Sequence, residues 1–151
     1  MADLDHRFVE PPYLRIADRR PAPTGPETIV WHLRISQPNV APVPWPVLHS
    51  IEHFLLYELR NATSAISLAA PMGCGTGLYI TASGLDDFDQ MAGLVADALT
   101  AITRASEVPY ATDIHCGRAE NHSLLGAQRV ATWLLSRQPT WNDPGSSALE
   151  V

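Results

Sequence analysis

The chain has 151 residues, enough for one domain with its own core, and a formal net charge of −6 at pH 7. This acidic balance, without any basic cluster, argues against nucleic acid and anionic membranes as partners, because both need a concentrated positive patch. All ten basic residues are arginine, so no lysine is present to form a Schiff base with a sugar carbonyl or with pyridoxal phosphate. Carbon chemistry in this chain must therefore use a metal or acid and base side chains.

The sequence carries no pattern for export or for a membrane span. Its first residues lack a positive segment followed by an apolar one, and no stretch has the roughly 18 apolar residues that span a bilayer. We therefore expect a cytoplasmic protein. In that reducing compartment Cys74 and Cys116 are expected as free thiols or thiolates rather than as a disulfide.

The first part of the chain predicts a loop, a strand and a helix. Residues 1–27 are rich in proline and arginine and have little periodicity, so no core element is expected there. Residues 28–36 are rich in β-branched and aromatic side chains and predict a strand with alternate residues from Trp31 on one face. Four prolines then lead to a helix that starts near Pro46 and fades near Asn61.

The middle of the chain predicts two strands and a second helix. The apolar runs at residues 65–70 and 77–83 predict strands on either side of a Pro-Met-Gly-Cys-Gly segment, with Cys74 at the irregular junction. Apolar residues at helical spacing predict a helix over residues 86–104, with Asp86 and Asp89 at its start.

The last part of the chain predicts a strand at residues 110–115 and an amphipathic helix over residues 123–136. The tail over residues 138–151 contains proline, glycine and serine and is expected to be poorly ordered. Strands interspersed with helices predict a single α+β domain over residues 1–151, with a mainly antiparallel sheet covered by helices.

The helix that starts near Pro46 carries a His-x-x-Glu-His motif. His49 and His53 are four residues apart, so both imidazoles project from one face and can close on a single metal ion. Glu52 lies beside them as a candidate proton shuttle. The simpler alternative is an ordinary amphipathic helix whose two histidines are satisfied by hydrogen bonds or water.

A metal held in this way normally has a third protein ligand and keeps one position open for substrate. Cys116, which precedes Gly117, would complete a two-histidine, one-cysteine shell that suits zinc, ferrous iron or cobalt. Cys74 would then be a second thiol, an acid or base whose pKa a nearby metal lowers. Spacing alone leaves the division of roles between the two cysteines open.

Other polar residues carry weaker signals. Arg60 lies about two turns beyond His53 on a similar helical face, where a guanidinium can hold a carboxylate through two hydrogen bonds. The simplest interpretation of Arg34, and of Arg60 itself, is an ordinary surface residue. The same interpretation applies to His6 and His122.

Several separated motifs, taken in order, resemble the S-ribosylhomocysteine lyase (LuxS) family over roughly residues 5–136. The motifs are Asp5-His6, Leu33-Arg34-Ile35-Ser36-Gln37-Pro38-Asn39, His49-Ser-Ile-Glu52-His53 with Arg60, Pro71-Met72-Gly73-Cys74-Gly75-Thr76-Gly77, and Cys116-Gly117 followed by His122-Ser-Leu. The resemblance implies an α+β homodimer with two sites at the subunit interface, a small-molecule substrate and a divalent metal. That metal is ferrous iron in the native form, and often zinc or cobalt after purification.

The resemblance also implies a role for each motif residue. As metal ligands it implies His49, His53 and Cys116. As the acid and base pair it implies Glu52 and Cys74. As substrate-binding residues it implies His6 and Arg34, from the partner subunit, and Arg60 at the homocysteine carboxylate.

The implied reaction cleaves S-ribosylhomocysteine to homocysteine and 4,5-dihydroxy-2,3-pentanedione, the precursor of a signalling furanone made for quorum sensing. The metal acts as a Lewis acid, and Glu52 and Cys74 move protons so that the carbonyl migrates from C1 to C3. β-Elimination then releases homocysteine. No organic cofactor is needed, which agrees with the absence of lysine.

The chain departs from the pattern that the family usually has at several residues, and three of these lie within the motifs or near them. Leu68 stands in place of an aspartate that helps to hold the substrate's amino group, Ser36 in place of a cysteine, and Gly75 in place of arginine or glutamine. Loss of a charged partner for a buried ammonium costs about 1–3 kcal/mol of binding, enough to favour another substrate. A divergent enzyme acting on a different substrate and a metal-binding protein without turnover are therefore the alternatives. A peptidase is less favoured, because such enzymes are usually larger and use a downstream glutamate ligand.

Overall fold

The structure is a computed structural model that describes residues 4–148. Within this range it contains a four-stranded antiparallel sheet and three α-helices. The strands are β1 (Tyr13–Arg20), β2 (Thr28–Arg34), β3 (Ile66–Pro71) and β4 (Gly77–Ser83). The helices are α1 (Trp45–Ala62), α2 (Phe88–Arg104) and α3 (Leu124–Ser136). The predicted α+β class with an antiparallel sheet is confirmed.

The sheet has the order β1-β2-β4-β3, and its two faces have different surroundings. On one face of β2, Ile29, Trp31 and Leu33 are at most 1% exposed and join the core formed with the helices. The indole N–H of Trp31 donates to the carbonyl oxygen of Leu85 at 3.0 Å, which satisfies its only polar group in the core. Alternate residues from Trp31 therefore share the buried face, as predicted from the period of two.

Helix α1 begins after Pro44, with Pro46 in its first turn. Proline is tolerated there because backbone N–H groups of the first turn have no partner within the helix. Its apolar side chains recur at helical spacing and are buried against β3 and α2; they are Leu48, Ile51, Phe54, Leu55 and Leu59. The His-x-x-Glu-His motif lies on the other side of the helix, where its side chains are partly exposed.

Helices α2 and α3 each start on a side-chain cap. The carboxylate of Asp87 accepts the backbone N–H of Gln90 at 2.8 Å, so the cap is Asp87 rather than the Asp86 or Asp89 expected from the sequence. The hydroxyl of Ser123 accepts the backbone N–H of Gly126 at 3.1 Å. Because Ser123 is the cap of α3, His122 lies directly before the start of this helix.

Two predictions from local pattern are wrong. Strand β1 lies where no core element was expected, and its residues Tyr13 and Leu14 are only 1% exposed. Antiparallel pairing with β2 stabilises this strand, although the local sequence does not predict it. Conversely, residues 110–115 form turns and no strand, starting with Tyr110 at a positive φ of 55°.

The tail also differs from its expectation over the part that the structure describes. Trp141 is fully buried, and its indole N–H donates to the carbonyl oxygen of Leu134 at 3.1 Å. The carbonyl oxygen of Trp141 accepts the N–H of Leu14 at 2.7 Å, which ties the tail to β1. Residues 149–151 of the predicted flexible segment lie outside the described range. Among the described helices, none combines the length and the apolar character needed to cross a bilayer.

Candidate metal centre and active site

Four side chains converge beside the polar side of α1. They are His49 and His53 from α1 and Cys116 and His122 from the loop before α3, and their potential ligand atoms all lie within 4.8 Å of one another. The sulfur of Cys116 lies 3.5 Å from Nε2 of both His49 and His122. Ligands bound to one tetrahedral zinc ion would be separated by about 3.3–3.8 Å. The four side chains can therefore hold one metal ion.

The predicted sharing of one helical face by His49 and His53 is confirmed, because their ring centroids are 4.8 Å apart. Nδ1 of His49 lies 2.9 Å from the carbonyl oxygen of Asn121, and Nδ1 of His53 lies 2.7 Å from that of Pro109. A carbonyl oxygen can only accept, so the neutral tautomer that fits these contacts carries its proton on Nδ1 and presents a lone pair on Nε2. Such outer contacts are typical of histidines that bind metal.

His122 belongs to the same cluster, so its interpretation as an ordinary surface residue is wrong. Its ring stacks on His49 with centroids 4.0 Å apart. Burial lowers the pKa of His122 to about 4, with further lowering by His49 and His53 and a smaller opposing effect of Glu120. At neutral pH the ring is therefore uncharged and able to act as a ligand.

The tautomer of His122 is set by Ser50, which is fully buried on α1. The Ser50 hydroxyl donates to the carbonyl oxygen of Pro46 at 2.8 Å and accepts the backbone N–H of Ser123 at 2.9 Å. With its one proton already used, the hydroxyl accepts from Nδ1 of His122, 3.2 Å away. Nε2 of His122 is thus left with a lone pair, like those of the two helical histidines.

Cys116 reaches the histidines because its loop turns back on itself. Its backbone N–H donates to the carbonyl oxygen of Thr112 at 2.8 Å. The backbone N–H of Arg118 in turn donates to the Cys116 sulfur at 3.4 Å. Both Cys116 and Cys74 are free, in agreement with the prediction that they do not form a disulfide.

A cleft of about 490 Å³ opens beside His53. Glu52 and Arg60 line it from α1, and Tyr110 and His115 line it from the loop that carries Cys116. Glu52 and Arg60 share this side of α1 because they are eight residues apart, close to two full turns. A carboxylate and a guanidinium therefore face the same space as one of the metal-site histidines.

Arg34 and Cys74 form a second group at the edge of the sheet. Arg34 is only 3% exposed, which contradicts its interpretation as a surface residue. Its guanidinium hydrogen-bonds the Thr76 hydroxyl, lies 3.3 Å from the Tyr13 hydroxyl and approaches the Cys74 sulfur at 3.6 Å. Arginine can only donate, so the Thr76 oxygen accepts and its own proton is free for the Cys74 sulfur at 2.9 Å.

These contacts favour a thiolate at Cys74. Burial by itself would raise the pKa of the thiol, but hydrogen bonds from Thr76 and the positive charge of Arg34 outweigh it, so the pKa of Cys74 is lowered. The next residue, Gly75, has a φ of +70°, and a Cβ there would lie 3.2 Å from that of Pro42. Gly75, where the family usually has arginine or glutamine, therefore lets the turn that carries Cys74 form without backbone strain.

The predicted site residues therefore fall into two groups within one chain. His6 and Arg34 line a cleft on the sheet side, whereas the cleft beside His53 contains neither of them and does not contain Cys74, within the part of the chain that the structure describes. Of the departing residues, Leu68 is 47% exposed, and the Ser36 hydroxyl is buried without a hydrogen-bond partner among residues 4–148.

No site role was predicted from the sequence for the residues that support the two groups, although His122 and Thr76 stand within the family motifs. His122 could have been found from its position six residues after Cys116, and Thr76 from its position two residues after Cys74. Ser50 and Tyr13 give no comparable signal, because a buried serine and a buried tyrosine are ordinary parts of a core.

Comparison with known proteins agrees with this arrangement. The sequence pattern of the S-ribosylhomocysteinase (LuxS) family matches residues 2–144. The S-ribosylhomocysteine lyase of Oceanobacillus iheyensis is 37% identical over 141 residues, covering 93% of this chain and 92% of the relative. Those of Chromohalobacter salexigens and Dichelobacter nodosus are 40% and 39% identical over 140 and 139 residues, covering 93% and 92% of this chain and 90% of each relative. The chain therefore belongs to the S-ribosylhomocysteinase (LuxS) family.

Proposed function

We propose that this protein is a metal-dependent carbon–sulfur lyase that cleaves S-ribosylhomocysteine to homocysteine and 4,5-dihydroxy-2,3-pentanedione. The observation that carries the proposal is the convergence of His49, His53 and Cys116 on one point beside a cleft that contains a carboxylate and a guanidinium. Family membership and the names of the relatives agree with it.

The metal ligands of this proposal are His49, His53 and Cys116, and the ion is ferrous iron, with zinc or cobalt as substitutes. The donor atoms fit such an ion. Nδ1 of each helical histidine hydrogen-bonds a backbone carbonyl oxygen, which leaves Nε2 of each ring to bind the metal. When bound, the ion supplies Lewis-acid polarisation of a sugar oxygen.

Proton transfer is assigned to Glu52 and Cys74. Glu52 lines the cleft beside His53, so its carboxylate can exchange a proton with a sugar carbon held there. Cys74, with a lowered pKa, provides the second base. Arg60 lines the same cleft as Glu52 and is assigned to the carboxylate of the homocysteine part, which a guanidinium can hold through two hydrogen bonds.

The separation of the two groups supports a homodimer in which each site is completed across the interface. Arg34 contacts Cys74 within one chain, so both belong to the same half of the site, together with His6. The helices cover one side of the sheet; the other side, here named the open sheet face, carries Val30, His32, Leu68, Tyr79 and Thr81. Leu68 and Tyr79 are 47% and 39% exposed there, as expected for a face that a second copy covers.

A second candidate function is the same type of reaction on a different substrate. Leu68 favours it, because this apolar side chain lies on the open sheet face opposite Thr81 and offers no charge to a substrate ammonium group. A non-catalytic metal-binding protein is the third reading, and it predicts that Glu52→Gln has no effect in any activity assay. The cytoplasmic location expected from the sequence stays a prediction.

The direct test supplies the purified, iron-loaded protein with S-ribosylhomocysteine under anaerobic conditions and measures the thiol that is released. We expect thiol release by the wild type and a loss of about 100-fold or more in Cys74→Ala and Glu52→Gln, the scale of a proton-transferring group. Ile114→Ala is the control, because Ile114 is 87% exposed and has no assigned role. Metal-loaded wild type that releases no thiol from this substrate would contradict the proposal and favour the second candidate.

A further inference from the structure

The cleft beside His53 has an aromatic edge to which the proposed function gives no role. Tyr57 of α1 and Tyr110 of the loop that carries Cys116 line this cleft together with Arg60, and they are 39% and 56% exposed. We propose that Tyr57 and Tyr110 bind the ammonium group of the substrate's amino-acid part against their rings, beside the carboxylate that Arg60 holds. This inference rests on the proposed function and adds the residues that recognise the amine.

The two tyrosine rings are arranged so that their faces stay open. Their centroids are 5.7 Å apart and their planes meet at 68°. Rings at this angle meet through an edge, so they cover less of each other than stacked rings do. The face of an aromatic ring is negative and attracts cations, and proteins bind ammonium-type ligands between rings set at such angles. The pair can therefore offer two ring surfaces to one positive charge.

The pair also lies where an amino-acid ligand requires it. Tyr57 and Arg60 are three residues apart on α1, so they are neighbours on the helix surface with Cβ atoms about 5–6 Å apart. The ammonium and carboxylate groups of an α-amino acid are attached to the same carbon. A side chain that binds the ammonium group must therefore lie next to the one that binds the carboxylate. Leu68 is not among the described residues that line this cleft, and it has no charge to offer.

The charges around the two rings favour a cation. Tyr57 and Tyr110 also line a neighbouring cleft of about 420 Å³, which contains the carboxylates of Glu58 and Glu107. Within residues 4–148, neither of these carboxylates takes part in an ion pair. The rings thus form a boundary with uncompensated negative charge on one side and the substrate cleft on the other. This charge adds to the attraction of the ring faces for a positive group.

The backbone of Tyr110 is held in a conformation that is uncommon for a residue with a side chain. Its φ is +55°, in the left-handed region. The turn keeps it there, because the backbone N–H of Thr112 donates to the Tyr110 carbonyl oxygen at 2.8 Å. The Tyr110 ring also contacts that of His115, with centroids 5.1 Å apart. Strain of this kind is concentrated at ligand sites, where the surrounding structure maintains it, and it agrees with a binding role for Tyr110.

The test measures ligand binding by isothermal titration calorimetry to the full-length, zinc-loaded protein carrying Cys74→Ala, which prevents turnover. The two ligands are S-ribosylhomocysteine and an analogue in which hydrogen replaces the amino group. We expect the amine to bind about tenfold more tightly than the analogue, the size of two partly exposed contacts between a cation and a ring. Tyr57→Leu or Tyr110→Leu should lower this preference to about threefold or less, because each removes one ring. Tyr57→Phe and Tyr110→Phe should keep it.

Trp133→Leu is the matched control, because Trp133 is 39% exposed, like Tyr57, but lines neither cleft. Its preference for the amine should be unchanged. Equal binding of the two ligands by the Cys74→Ala protein, an undiminished preference in the leucine variants, or a loss of preference in the phenylalanine variants would overturn the inference and leave the proposed function intact. If neither ligand binds, the proposed function is contradicted and the inference falls with it. If one leucine variant does not fold, the other gives the result.

Discussion

Cys116 Sγ lies 3.5 Å from His49 Nε2, although the two residues are 67 positions apart in the chain. The same loop that carries Cys116 also provides the Asn121 carbonyl oxygen that accepts from His49 Nδ1. One segment therefore both orients the imidazole and supplies the sulfur. Because both contacts end on a histidine of the candidate metal site, metal binding should be coupled to the docking of the loop.

Metal removal should lower thermal stability. A ligand present at 100 times its dissociation constant stabilises the folded state by about 2.7 kcal/mol, which corresponds to roughly 5–10 °C in Tm for a chain of this size. We expect this decrease when a chelator is added to zinc-loaded wild type in a thermal melt. His49→Ala and Cys116→Ala should melt at the same temperature with and without zinc. Equal melting of the wild type in both conditions would show that the loop docks without metal.

The thiol of Cys74 should ionise at a lower pH than an ordinary cysteine thiol because its pKa is lowered. Below the pKa the thiol is protonated and slow to alkylate, so the wild-type rate should rise with pH around a midpoint lower than about 8.5, the value of a free cysteine. Thr76→Val removes the hydroxyl next to the sulfur, and the midpoint should move to higher pH. The measurement is the alkylation rate of the Cys74 peptide by mass spectrometry across pH.

The control for this experiment is Thr81→Val. Thr81 is on β4, the strand that begins directly after Thr76, and its hydroxyl pairs with Ser67 and not with Cys74. Its alkylation midpoint should match that of the wild type. A midpoint that is unchanged in Thr76→Val as well would mean that Arg34 alone determines the ionisation of the thiol.

Gly77→Ala should destabilise the fold at the point where the Cys74 turn meets β2. A Cβ at Gly77 would overlap the carbonyl oxygen of Leu33 and lie 3.0 Å from the Cα of Arg34, both parts of the rigid backbone. We expect a loss of about 1–3 kcal/mol in the free energy of unfolding, measured by urea denaturation. Gly93→Ala in α2 meets nothing within 4 Å and should stabilise by about 0.5–1 kcal/mol through helix propensity. A neutral Gly77→Ala would refute the close approach of β4 to β2.

Leu68→Glu should disrupt the proposed homodimer. The substitution puts a charge on β3, at one edge of the open sheet face, and burial of an unpaired carboxylate between two copies is unfavourable. We expect a dimer for the wild type and a monomer for the variant in size-exclusion chromatography with light scattering. Val40→Glu, at a 75% exposed position outside the sheet, should remain dimeric. A monomeric wild type would contradict a site shared between two copies.

Sequence by itself determined the elements whose pattern repeats locally. The positions of α1, α2 and α3 follow from apolar residues at helical spacing, and the shared face of His49 and His53 follows from the pitch of the helix. The motif residues that identify the family are likewise readable in order along the chain.

Tertiary structure alone decided which distant segments meet. Strand β1 has no pattern of its own and is formed by pairing with β2, which also buries Arg34 beside Cys74. From the sequence alone, His122 is interpreted as a surface residue. In the fold, its hydrogen bond with the Ser50 hydroxyl and its position at the start of α3 place its ring against that of His49. Helical periodicity is a property of neighbours in the chain, whereas these contacts depend on how separate elements pack, and that information is spread over the whole core.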